Sequence, residues 1–169
     1  MMTGAHHSSS VRPPPAAAGM AILAGVVFVW VGMILGVSFL ATSAKFLAPS
    51  LSLAVALDVG RHTFEIFLGF EVAWALLIAA LLVLLRPGWL FYLLAGISVA
   101  IVALDILWLR PVLDARVQII LDGGSLQPAQ LHSLYIVLEL VKVFALIALG
   151  ALALVRLSAM AGYSQAGHG

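Results

Sequence analysis

Hydrophobic and polar positions are segregated along this chain in long blocks. Four apolar runs, at residues 20–44, 63–85, 89–109 and 129–157, are separated by three short connections that hold every proline and most of the charges outside the N-terminal segment. About 20 apolar residues in helical rise cross the ~30 Å hydrocarbon layer of a bilayer. A helix is also one of the few structures that satisfies its own backbone there. The pattern predicts an all-α, integral membrane four-helix bundle. The first run stays uncharged until Lys45 and is longer than the about 7–15 residues of a signal-peptide core, so it reads as a span. Within it, Gly32 and Gly36 form a small-xxx-small pair on the side that also carries Gly25, a spacing suited to close helix contact.

Breakers set the boundaries. Pro49 closes the first run, and residues 50–65, with Asp58, Arg61, His62 and Glu65, predict a short interfacial helix before the second span. Arg86-Pro87-Gly88 leaves room only for an antiparallel hairpin. Pro111 interrupts the third run, and residues 112–121, with Asp114 and Arg116, predict a second interfacial helix that ends at Asp122-Gly123-Gly124. Trp89, Tyr92 and Trp108 stand near the ends of the third span, where amphipathic rings favour the headgroup level. Residues 1–19, rich in serine and proline, predict a disordered tail; residues 20–157 form the transmembrane domain, and 158–169 a flexible C-terminal tail.

Composition agrees and removes several functions. The 169 residues are 64% apolar and 9% charged, against about 45–50% and about 25% in a soluble domain. A separate catalytic domain does not fit. A net charge of +1 with no basic run argues against a nucleic-acid partner, and the lack of cysteine excludes thiolate chemistry and disulfides. No phosphate loop, zinc-protease helix or nucleophile elbow occurs. The expectation is a protein that is not an enzyme, whose first partner is the lipid bilayer; the sequence specifies no cofactor. Arg12, Arg86 and Arg156 stand on one side without acidic neighbours, which orients both termini to the cytoplasm of a bacterial inner membrane.

Ionisable residues inside the spans carry the functional signal, because each is costly in lipid unless paired, hydrated or turned inward. Antiparallel threading places Lys45, Glu65, Glu71, Asp105, His132, Glu139 and Lys142 in one half of the membrane, while the half containing Trp30 and residues 76–85, 94–100 and 145–155 has none. Glu139 and Lys142 are three apart, and His132 and Glu139 seven apart, so they share one stripe of the fourth helix. His62, Glu65, Asp105 and His132 are the candidate metal ligands. Glu71, Glu139, Lys142, Arg61 and Arg110 form the accompanying intramembrane polar network. The alternative is structural: Arg61 with Glu65, Arg110 with Asp114 and Glu139 with Lys142 as self-neutralising pairs that fix helix register.

Three short motifs occur in order: Arg61-His62-Thr63-Phe64 opening the second span, Trp108-Leu109-Arg110-Pro111 closing the third, and Leu131-His132-Ser133-Leu134 opening the fourth. On these the chain resembles the transmembrane protein 205-like family, small four-span proteins related to bacterial membrane domains of unknown function. The resemblance covers about residues 20–155. It departs from the family pattern at Glu65, where a glycine is typical, at Leu68 and Val72, and at Asp105 and Glu139, where asparagine is common. It implies handling of metal-containing or cationic solutes, and no catalytic residue. Taken together, the expected function is binding or passage of a small cation, metal species or proton through a one-sided acidic and histidine cluster. The competing expectation is a non-catalytic accessory subunit that docks its helices onto a larger membrane complex, or onto a second copy in a homo-oligomer.

Overall fold

The structure, a computed structural model, describes residues 15–124 and 131–166. Four long helices make it up: α1 (Pro15–Phe46), α2 (Leu53–Leu85), α3 (Trp89–Leu121) and α4 (Leu131–Ala166). No strand occurs among the described residues. Each helix is long and apolar enough to cross a membrane. At ~1.5 Å per residue each measures roughly 50 Å, well beyond the ~30 Å hydrocarbon layer, so its ends protrude or it tilts. α1 and α3 each pack against both α2 and α4, which closes a four-sided bundle.

Helix ends depart from the apolar runs for local reasons. The Ser52 hydroxyl accepts the Val55 N–H at 3.3 Å and caps α2, and no proline interrupts the chain from there to Leu85. The segment expected as a first interfacial helix is therefore the opening of α2 itself. The second is likewise fused to its span, because α3 runs through Pro111. It does so by widening: Asp105–Leu109 is π-helical, and the Arg110 N–H reaches the Asp105 carbonyl five residues back. A wider turn just before proline accommodates its missing donor and bulky ring. A second π-helical stretch, Leu35–Ala41, interrupts α1.

α1 is helical from Pro15, the first described residue, and α4 continues to Ala166. Residues 15–19 and 158–166, expected in tails, are thus helical; the remaining tail residues lie outside those described. Between α2 and α3, Arg86 is left-handed at φ 46° and Gly88 takes φ 121°, a conformation that suits glycine. Arg156 closes this end of the bundle by donating to the Pro87 carbonyl, its guanidinium over the Phe91 ring.

The core is uneven along the bundle. At the hairpin end Leu23, Val27, Ile78, Leu82, Leu146 and Leu149 interlock, all fully or almost fully buried. The Phe28 ring lies so close to Gly150 that a β-carbon there would sit 2.8 Å from it. This is where α1 and α4 approach closely, and not at Gly25, Gly32 and Gly36, whose added β-carbons would meet nothing within 4 Å among the described residues. The outward surface is apolar, with Leu84 and Leu107 each 79% exposed. Such a surface suits lipid and would be an aggregation liability in water.

Candidate functional site

The other half of the bundle holds a buried ionic cluster. Lys142, on α4, is fully buried, and its Nζ lies 2.5 Å from Glu71 Oε1 on α2, 2.6 Å from Glu139 Oε1 on α4 and 3.8 Å from Asp105 Oδ2 on α3. The three carboxylates offer ligand atoms within 4.8 Å of one another. α1 adds neutral donors: Trp30 Nε1 donates to Glu71 Oε1 at 3.2 Å, and the Ser38 hydroxyl donates to Glu139 Oε2 at 3.3 Å while lying 3.0 Å from the Tyr135 hydroxyl. All four helices therefore contribute.

The two π-helical stretches explain how the polar side chains reach this centre. Ser38 lies inside the one in α1, and Asp105 opens the one in α3. A wide turn shifts the helical phase locally and allows an inward polar position within a span whose flanking residues keep their own packing. Both distortions occur at the cluster.

Charge is not balanced. Three carboxylates against one ammonium leave a formal −2 if all are ionised. A buried carboxylate needs partners for its oxygens, yet Asp105 Oδ1 is buried with no hydrogen-bond partner among the described residues. Among the described residues it is the one fully buried side-chain polar atom without a partner.

Above the cluster a cavity of about 490 Å³ opens between α2, α3 and the facing ends of α1 and α4. Glu71 and Asp105 form part of its floor, and its walls are mostly apolar and aromatic, including Phe64, Phe67 and Tyr135. Tyr135 stands edge-on to Phe64, with centroids 5.5 Å apart, and stacks with His132. The three short motifs of the sequence meet here, since Arg61, Phe64, Leu109, Arg110, Leu131 and His132 all line the cavity.

The arginines around the cavity already have partners. Arg61 bonds Asp58 and Gln118, each at 3.1 Å, and Arg110 donates to the Phe64 and Arg61 carbonyls and pairs with Asp114 at 3.6 Å. Lys45 has no carboxylate within pairing distance among the described residues. Its ammonium sits 5.6 Å from the Phe64 centroid and 5.1 Å from that of Phe46, against Gly60, where a side chain would collide with it.

Of the four expected metal ligands, only Asp105 enters the cluster. His62 is exposed on α2, bonding the Asp58 carbonyl at 3.0 Å. Glu65 is exposed and borders a separate, outer groove with Arg61, Arg110 and Asp114. His132 lines the cavity, about two helical turns above Glu139 on the same stripe. The reason is geometric: nine residues of helix turn His62 about 180° away from Glu71, and six turn Glu65 about 120° away. Continuing α3 to Leu121 also sets Asp105 about 24 Å from that helix end, far deeper than an ending at residue 109 implied.

The expected network is partly assembled. Glu139 with Lys142 and Arg110 with Asp114 do pair, whereas Arg61 turns to Asp58 and not to Glu65. Trp30, expected in the uncharged half, reaches the cluster instead. Trp30, Ser38 and Tyr135 were not anticipated as site residues; a signal existed in Tyr135, four residues before Glu139 and so on its face. Comparison with known protein families, with characterised proteins and with solved structures gives no match.

Proposed function

We propose that this is an intramembrane proton-binding site that loads through the cavity from one face of the membrane. The observation that carries the reading is the cluster itself: three buried carboxylates share one internal ammonium, with Asp105 lining the base of a cavity and its buried Oδ1 unpartnered among the described residues. A buried net charge is expensive, and the smallest species that reduces it is a proton on a carboxylate. Lys142 works against the metal version. It occupies the space between the carboxylates at 2.5 and 2.6 Å, so a divalent ion would have to displace it. The inward direction of these side chains favours a binding site over docking of the charged half onto a larger membrane protein.

The roles follow from position. Glu71 and Glu139 hold Lys142, with Trp30 and Ser38 fixing their second contacts. Asp105, longest in its distance to Lys142 and facing the cavity, is the exchanging group. Infrared difference spectra of the purified protein, recorded across a pH titration, test this directly. A carboxylic-acid carbonyl band should disappear as pH rises and should be absent in Asp105→Asn. A spectrum with no titrating buried acid, or one unchanged in that variant, would refute the reading.

A further inference from the structure

The cavity is far larger than a path for protons requires. Its volume of about 490 Å³ lies within the range of sites that enclose small organic molecules. Apolar and aromatic walls rise from a floor lined by the carboxylates Glu71 and Asp105, and the buried Asp105 Oδ1 has no hydrogen-bond partner among the described residues. Aromatic faces and a desolvated carboxylate together recognise cations with an apolar body. The structure already shows one cation on this surface, because the Lys45 ammonium lies over Phe64 without a carboxylate partner among the described residues.

We infer that the cavity binds a monovalent organic cation with an aromatic or branched apolar body, its charged centre facing Asp105 and its body against Phe64, Phe67 and Tyr135. This rests on the proton-binding reading and deepens it. Arrival of the cation offsets one negative charge of the floor as a proton does, so one proton leaves Asp105 for the medium as one cation enters, and the charge of the site is unchanged. Asp105 faces Glu71 from α2 and Glu139, Lys142 and Tyr135 from α4, while Lys45 of α1, Arg61 of α2, Arg110, Asp114 and Arg116 of α3 and His132 of α4 line the cavity above it. Lys142 is held by Glu71 and Glu139, and Arg110 by Asp114 and two carbonyls. The arriving cation therefore finds in Asp105 the carboxylate of the cluster farthest from Lys142, at 3.8 Å. Lys45, which has no carboxylate within pairing distance among the described residues, would yield its place on Phe64.

A matched pair of probes tests the charge preference. Tetraphenylphosphonium and tetraphenylborate have nearly the same shape and opposite charge. Equilibrium binding to the full chain in neutral-lipid nanodiscs, corrected with protein-free discs, should show one saturable phosphonium per chain and no saturable borate. Phosphonium binding should tighten as pH rises and release a proton in weakly buffered solution. Asp105→Asn should weaken it about tenfold or more, as expected on losing a charged partner. Phe64→Leu should weaken it less, and Glu65→Gln, in the outer groove, should leave it unchanged.

Absence of saturable phosphonium binding overturns the inference, as does binding that ignores pH in the wild type. Saturable borate without phosphonium also overturns it, pointing to the basic lining as the recognition element. These wild-type results decide the matter even if Asp105→Asn does not fold. The infrared titration separates the two levels: a titrating buried acid without phosphonium binding defeats this inference alone, and absence of both defeats the proton reading too.

Discussion

The two halves of this bundle are built from the same four helices and hold together by different means. At the hairpin end, leucines, valines and isoleucines interlock with no ionisable side chain among them, and Phe28 packs onto Gly150. At the other end the helices separate around a cavity, and the joint is a lysine gripped by carboxylates from three helices. In lipid there is no hydrophobic drive between helices, so packing and polar contacts carry the association. The comparison shows one chain dividing these tasks: close packing holds the hairpin end shut, and the ionic joint allows the other end to open around a space without losing helix register.

The sharpest way to break this division is Lys142→Met. It leaves three carboxylates facing one another, and removal of one partner from a buried ionic group costs about 3–5 kcal/mol. Thermal or denaturant unfolding in detergent should show the loss, and adding Glu139→Gln should restore part of it. Equal stability of the single and double variants would mean that the two side chains are not coupled.

Next comes Leu149→Ala in the packed half, at a position with no exposure. The expected cost is about 2 kcal/mol, at the low end for a buried leucine because the transfer contribution from water is missing in lipid. Infrared titration of the acid cluster should be unaffected, which separates the halves. The smallest effect belongs to the exposed positions: His62→Ala and Glu65→Gln should each shift stability by less than about 0.5 kcal/mol. A large loss from either would place them in the working site after all.

Much of this could be read from the sequence, and the failures share a cause. Block length and breakers gave four helices and the single hairpin. The same-side grouping of Glu71, Asp105, Glu139 and Lys142 followed from antiparallel threading. Depth and phase did not follow, because both depend on where helices begin and end. Pro111 reads as a break, yet the π-helical turn at Asp105–Leu109 absorbs it. Ser52 caps a helix that the apolar run starts only at residue 63. Those two shifts moved Asp105 away from the histidines and toward Lys142. Nor does spacing reveal a π-helical turn, so Ser38 looked like an ordinary small residue in an apolar run.

The central claim is that the ionic cluster communicates with one face of the membrane and that the packed half seals it from the other. The chain has no cysteine, so single cysteines can be introduced without altering any native one. Leu68, less than one turn from Glu71, lines the cavity, and Ala153 is fully buried in the packed half. In oriented vesicles, a membrane-impermeant thiol reagent should label Leu68→Cys from one face only and leave Ala153→Cys unlabelled from either. Labelling of Leu68→Cys from neither face, or of Ala153→Cys from the opposite one, would contradict the account.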